Sequence, residues 1–224
     1  MSTPPPHMNW DPVTHYQDVK IAEDYDRVRF DSLAGRVFER LERYNIRKAF
    51  RSIPKAGAIL DLPCGTGRLA EALLDDGFTL VGADISPAML EVAKRRLARF
   101  GHRFTTLVSD VKELAKSQPK SFDSALCARV LMHFPVEEQI EFLGSVARLS
   151  RGPVVFTQSL NTPYHRTRRK VKQMLGDPHT PANYPITEAE LKQLLKGANL
   201  VEKFRLRPMA LVTEQIIVFA EHAK

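Results

Sequence analysis

The chain has 224 residues, 43% hydrophobic and 26% charged, which suits one domain of ordinary size and excludes wholesale disorder or a collagen-like repeat. Its 33 basic residues outnumber 26 acidic ones, for a net charge of +7, so nucleic acid, an acidic surface or an anionic substrate all come into question. No apolar run approaches the roughly 18–20 residues that cross a bilayer. The N-terminus (MSTPPPHMNW) lacks the basic flank and apolar stretch of a secretory leader. Two cysteines, Cys64 and Cys127, cannot build a disulfide framework, which favours a reducing, cytoplasmic compartment.

In chain order, residues 1–18 read as a mobile tail with three consecutive prolines, and 19–56 as an N-terminal helical lid in two pieces. Ile21, Tyr25 and Val28 share one face of the first piece. Leu33, Val37, Leu41 and Tyr44 share one face of the second, with Asp31 or Ser32 as its N-cap. Strands then alternate with helices. Strands are expected at Ala58–Asp61, Thr79–Asp84, Phe104–Val108, Phe122–Cys127 and Pro153–Gln158. The intervening helices are Thr66–Asp75, Pro87 to about Phe100, a short one after Asp110, and Val136–Leu149. After an insertion at 161–185 come a helix at about Thr187–Lys196 and two β-rich runs, Leu200–Arg207 and Val212–Glu221, which read as a hairpin. The pattern predicts an α/β fold: a doubly wound sheet, mostly parallel, with helices on both faces and an antiparallel C-terminal hairpin.

Charge is uneven along the chain. Residues 1–56 hold 10 basic and 8 acidic groups, 57–160 hold 12 of each, and 161–224 hold 11 and 6. Five of the last set, Arg166, Arg168, Arg169, Lys170 and Lys172, fall within Tyr164–Lys172 with no acid among them. Such a run reads either as a solvated face or as an anion-binding feature.

The segment ILDLPCGTGR (59–68) ends a strand on an acid and turns through Gly65 and Gly67 into a helix. Glycines there permit a sharp turn and close ligand approach. The spacing is not that of a phosphate-binding P-loop, and the third glycine of a dinucleotide fingerprint is missing. Acids follow the first three strands in turn: Asp61, Asp84 and Asp110. All three belong at the carboxyl edge of the sheet, where open α/β folds bind ligands; an acid after the second strand can accept both hydroxyls of a ribose. Each could instead cap the helix that follows it.

With ILDLPCGTGR, VGADISPAMLEVAKRR, LVSD and FDSALCARVLMHF in this order, the chain resembles the class I S-adenosylmethionine-dependent methyltransferases over roughly 58–158, within a Rossmann-like domain at 57–224. Pro63 and Cys64 stand where that family usually has glycine. The resemblance implies S-adenosyl-L-methionine as cofactor. Asp61 would anchor the first loop and orient the methionine ammonium, and Pro63, Cys64, Gly65 and Gly67 would line the methionyl and ribose part. Asp84 would hold the ribose, Ile85 and Met89 would lie against the adenine, and Asp110 and Val111 would contact its edge. Ala128 and Arg129 would approach the methionine end. Arg29 and Arg36 are candidates for the cofactor carboxylate.

His133 is the candidate base for methyl transfer, since the reaction needs alignment and, for a protonated nucleophile, proton removal; a structural histidine is the competing reading. The insertion would supply acceptor contacts from Tyr164, His165, Arg166, Arg168, Arg169 and Tyr184, a set suited to phosphate or carboxylate. The expected acceptor is a small molecule or lipid-like metabolite, an anionic one fitting the basic run. RNA or protein methylation through that run, with nucleic acid as partner, and a non-catalytic cofactor-binding regulator are the alternatives. No metal site is read from the sequence.

Overall fold

The computed structural model describes residues 32–164, 166–167, 184–209 and 213–223. The tail at 1–18, the first helical piece with Arg29, and His165, Arg168 and Arg169 lie outside the described residues. Helix α1 (Leu33–Phe50) starts at Ser32, whose hydroxyl accepts the Gly35 amide at 3.0 Å. Strand β1 (Ala58–Asp61) leads to α2 (Arg68–Asp75), and β2 (Thr79–Asp84) to α3 (Pro87–Leu97). Ser86 caps α3, and Pro87, which lacks an amide proton, occupies its first turn. A 3₁₀ segment, Ala98–Arg103, joins α3 to β3 (Phe104–Val108); then come α4 (Val111–Ser117), β4 (Ser124–Cys127), α5 (Val136–Leu149) and β5 (Val154–Ser159). Helix α6 (Glu188–Gly197) opens with a capping box between Thr187 and Glu190 and feeds β6 (Leu200–Leu206) and β7 (Gln215–His222).

The seven strands form one sheet in the order β3-β2-β1-β4-β5-β7-β6. Pairing is parallel from β3 through β5, and β7 pairs antiparallel with both β5 and β6. The order reverses between β1 and β4, where crossovers diverge and leave a crevice at the strands' carboxyl ends. Two cores lie on opposite faces, and the strands divide between them residue by residue. Leu60, Cys127, Val154, Phe156 and Val218 face α4, α5 and α6. Ile59, Leu126, Val155, Ile217 and Phe219 face α1 and α2. This alternation is the period-2 pattern of a pleated strand covered on both sides. The fourth strand begins at Ser124, two residues later than its apolar run suggests. Phe122 makes only an isolated bridge to Ser150, and the Asp123 carboxylate accepts the Ala58 amide at 2.8 Å.

Helix α1 corrects the expected apolar face. Leu33, Val37 and Tyr44 are exposed, and the buried residues are Glu42, Ile46, Ala49 and Phe50. The sheet selects this face because Ile46, Ala49 and Phe50 complete the second core, while Glu42 finds cationic partners beneath the helix. Charge is also regrouped by folding. The layer of α1, α2 and α3 (residues 33–55, 68–77 and 87–103) carries 13 basic and 6 acidic groups. The opposite layer (residues 111–120, 136–151 and 187–199) carries 7 and 6. Much of the excess is answered locally: Arg43 and Arg99 both reach Glu71, and Arg47 grips Asp76 with two nitrogens. No helix among the described residues is long and apolar enough to cross a membrane.

Candidate functional site

Because β1 to β4 are parallel, the loops after all four open at one edge, and there they enclose a cavity of about 340 Å³. Asp61, Pro63, Cys64, Gly65, Asp84, Ile85, Met89, Asp110, Val111, Ala128, Arg129 and His133 all border it. Of the residues expected around a cofactor in the loops after the strands, Gly67 does not. It starts α2 with φ of 76°, and a Cβ there would stand 2.7 Å from Leu97 Cδ1, so it serves the close packing of α2 on α3.

The half above β1 and β4 is charged and buried. Asp61 is 2% exposed, and its Oδ2 has no hydrogen-bond partner among the described residues. Burial pushes its carboxyl up to about 7; a hydrogen bond from the Cys64 thiol opposes the rise, Asp84 adds to it, and Arg68 opposes it. The Leu62–Pro63 peptide is cis, and Cys64 turns its thiol into a small core with Leu90 and Ala93. A side chain at Gly82 would meet Cys64 Sγ at 2.7 Å, so the glycine of β2 makes the room that Cys64 takes up in the loop. Burial pushes the Cys64 and Cys127 thiols up, and both are free and buried. Arg68 and Arg129 form the far wall, joined through Glu42 of α1.

The half above β2 and β3 is mostly apolar. Asp84 accepts the Gly65 amide on Oδ2 at 2.8 Å and the Ser86 amide on Oδ1 at 2.9 Å, which ties the loops after β1 and β2 together. Its burial raises its pKa, and these backbone donors act against the rise. Ser109 donates its amide to the Asp84 carbonyl at 3.0 Å, adding the loop after β3. Met89 is buried and Ile85 is exposed at the rim. Of the three acids only Asp110 is a helix cap: its Oδ1 accepts the Lys112 and Glu113 amides. The helices after Asp61 and Asp84 begin at Gly67 and Ser86 instead.

His133 closes a 3₁₀ turn, Leu131–His133, that faces the cavity between the two halves. Residues not anticipated from the sequence hold this turn. Gln158 of β5 donates to Gln139 of α5 at 2.7 Å, and Gln139 donates to the carbonyls of Phe134 at 2.7 Å and Tyr184 at 3.2 Å. The Tyr184 amide donates to the Met132 carbonyl at 2.7 Å. Tyr184 thus acts through its backbone, with its side chain exposed. Tyr164, Arg166 and Tyr184 do not border the cavity; Arg36 lies exposed on α1 and does not border it either. Glu42, Arg68, Gln139 and Gln158 went unnoticed because each is an ordinary polar residue inside an amphipathic or alternating pattern. The Arg that ends ILDLPCGTGR was the one available signal.

A methyltransferase domain family matches residues 59–152. A ubiquinone biosynthesis O-methyltransferase of Vibrio cholerae is 31% identical over 157 residues, 69% of this chain and 57% of that protein. Its counterpart in Dechloromonas aromatica is 35% identical over 46% of this chain and 44% of that protein. The chain therefore spans about half the length of these curated relatives. Among solved structures, magnesium protoporphyrin IX methyltransferase from Synechocystis PCC 6803 with bound SAH superposes with a TM-score of 0.74 at 18% identity, covering 94% of this chain and 97% of that one. A 1,6-didemethyltoxoflavin-N1-methyltransferase of Burkholderia thailandensis gives 0.68 at 19% identity, covering 100% and 93%. The parallel sheet order, the crevice at its topological switch point and the sequence match coincide over one stretch of the chain: residues 59–152 match a methyltransferase domain family.

Proposed function

We propose that the protein is an S-adenosylmethionine-dependent methyltransferase of a small-molecule acceptor. The observation that carries this reading is the buried Oδ2 of Asp61, which has no hydrogen-bond partner among the described residues and stands at the edge of the cavity. A carboxylate oxygen buried without a partner among the described residues calls for a cationic or proton-donating ligand, and the methionine ammonium is one. The rest of the cavity fits the same cofactor. Asp84, fixed by two backbone amides, keeps acceptor capacity for ribose hydroxyls, and Met89, Ile85 and Val111 offer apolar surface for an adenine ring. Asp110 spends one oxygen on its helix cap, so its part at the adenine edge falls to the other. Bound, the cofactor supplies a methyl group on a sulfonium centre, an electrophile that needs no further activation.

What the chain must then do is orient the acceptor and accept its proton. His133 is the residue suited to take that proton, since it borders the cavity beside Phe134 and its turn is braced by the Gln139–Gln158 pair. An imidazole can take a proton near neutral pH, which favours a hydroxyl as the methylated group. The names of the curated relatives support small-molecule O-methylation. The basic run beginning at Tyr164 supports an anionic or lipid-like acceptor, and the free buried thiols support a reducing, cytoplasmic compartment. Methyl-labelled cofactor incubated with metabolite, lipid and RNA fractions of a host extract tests the reading. Label in the metabolite or lipid fraction is expected, and label confined to RNA or protein would overturn it.

A further inference from the structure

Folding sorts the charges of α1 onto different sides. Its acids are engaged by arginines: Glu39 by Arg43, and Glu42 by Arg68 and Arg129. Arg36, Arg40 and Lys48, with Arg51 at the C-cap, stand exposed on the outer face, and no ion pair among the described residues engages them. Their steps of four, eight and three residues place them on one stripe, about 22 Å long at the helical rise. Leu33, Val37 and Tyr44 share that stripe and are 76%, 41% and 57% exposed.

The helix itself does not ask for this arrangement. Its first turn carries no acid, and Arg36 follows near the end where the macrodipole disfavours a cation. Only Arg47 and Lys48, in the last turn, sit where the dipole favours them. The core takes Ile46, Ala49 and Phe50 from the other face and leaves the exposed apolar groups without a packing role. At its C-terminal end the stripe opens into a surface hollow of about 530 Å³, bordered by Tyr44, Arg47, Arg51, Lys55, Asp76 and Phe78. Asp76 is taken by Arg47, and the Lys55 ammonium stands 5.8 Å from the centre of the Phe78 ring. Arg51 and Lys55 have no ion pair among the described residues, so the hollow is left with positive charge.

A row of cations alone suits any polyanion, and the apolar members of the stripe decide between them. A phosphodiester backbone offers Leu33 and Val37 nothing to bury in. At a bilayer surface, cationic heads meet lipid phosphates while neighbouring apolar groups reach the acyl boundary. We propose that the outer face of α1 docks this protein on membranes containing anionic phospholipid. Leu33, Val37 and Tyr44 enter the headgroup layer, and a lipid phosphate occupies the hollow beside Arg51 and Lys55. The protein lies on the bilayer and does not cross it. Phe38 of α1 lies under the Arg129 guanidinium at the cavity wall, so docking along this helix sets the cavity beside the membrane, where an acceptor dissolved in lipid is met. The inference concerns a surface outside the cavity and does not depend on the cofactor reading.

The test is co-sedimentation of the full chain with vesicles. Phosphatidylcholine vesicles containing phosphatidylglycerol should carry the protein down, phosphatidylcholine alone should not, and salt should release it. A basic residue at an anionic membrane surface multiplies binding about fivefold, so Arg40→Gln with Lys48→Gln should weaken it about 25-fold, and Arg51→Gln about fivefold further. Leu33→Ser with Val37→Ser should weaken it about tenfold and keep the salt dependence. Lys192→Gln with Lys196→Gln, exposed on α6 in the opposite layer, removes the same charge and should leave binding unchanged. All these side chains are exposed, so circular dichroism of each variant should match the unaltered chain. Equal binding to neutral vesicles, unchanged binding in either pair on α1, or an equal loss in the α6 pair would overturn the inference. So would release by inorganic phosphate at constant ionic strength, which would mark a free-phosphate site. Tighter binding to duplex RNA that the same α1 variants abolish would overturn it in favour of nucleic acid.

Discussion

The two halves of the cavity solve different problems. Above β1 and β4, Asp61 and Arg68 are buried, Arg129 is half-buried, and Glu42 and Gln215 come from distant elements to meet the arginines. Above β2 and β3, Met89, Ile85 and Val111 form apolar walls, and Asp84 is held by neighbouring backbone amides. Charge in a low-dielectric site is costly to bury and has to be oriented before the ligand arrives. An apolar slot needs shape alone. The charged half therefore draws on elements far apart in the chain, while the apolar half is assembled by adjacent loops.

The largest effect expected from this contrast is on stability. Glu42→Ala removes the anion that buried Arg68 and half-buried Arg129 share and should cost about 3–5 kcal/mol in chemical denaturation; a loss under about 1 kcal/mol would mean the cluster is hydrated and the halves are not so different. Next comes chemistry at the boundary between them. His133→Ala should lower turnover about 100-fold while S-adenosylhomocysteine affinity stays the same, and a near-normal rate would make His133 a structural residue of its turn.

On the apolar side, Asp84→Ala should weaken cofactor binding by about 1–3 kcal/mol in calorimetry, the range for a lost hydrogen bond to a charged group. Unchanged affinity would remove the ribose assignment. The smallest effect separates the halves by pH. Asp61 titrates at about 7 because burial disfavours its charged form, and an ammonium ligand requires that form. Affinity should therefore rise about tenfold from pH 6 to pH 8 and level off above. In the ligand-free protein the sign is opposite: the folded state binds the extra proton, so this group lowers stability as pH climbs from the ordinary carboxylate range to about 7. Asp61→Asn should abolish both dependences, whereas Asp84→Asn should keep the affinity rise but move it to lower pH, because the Asp84 charge adds to the raised pKa of Asp61.

Much of the architecture was legible in the sequence for a local reason. The first three strands and α5 fall where their apolar runs and flanking glycine and proline residues put them, because backbone hydrogen bonding and period decide such elements within a few residues. The acids after the strands were legible too, since a parallel sheet brings every such position to one edge. Two readings shifted once the chain was folded. The apolar face of α1 turned out to be the solvent side, because the second core takes Ile46, Ala49 and Phe50. Two of the three acids gave up the helix-cap role to Ser86 and Gly67, leaving only Asp110 as a cap.

The sequence by itself determined the doubly wound α/β pattern, the loop after β1 and the edge on which Asp61, Asp84 and Asp110 stand. Only the tertiary structure decided what surrounds them. The partners of Glu42 lie 26, 87 and 173 residues away along the chain, and the brace of the His133 turn joins β5, α5 and the backbone of Tyr184. Periodicity reports burial within one element. A buried charge is stabilised by opposite charges and donors in three dimensions, and those converge only when α1, α2, the turn after β4 and β7 meet over the sheet.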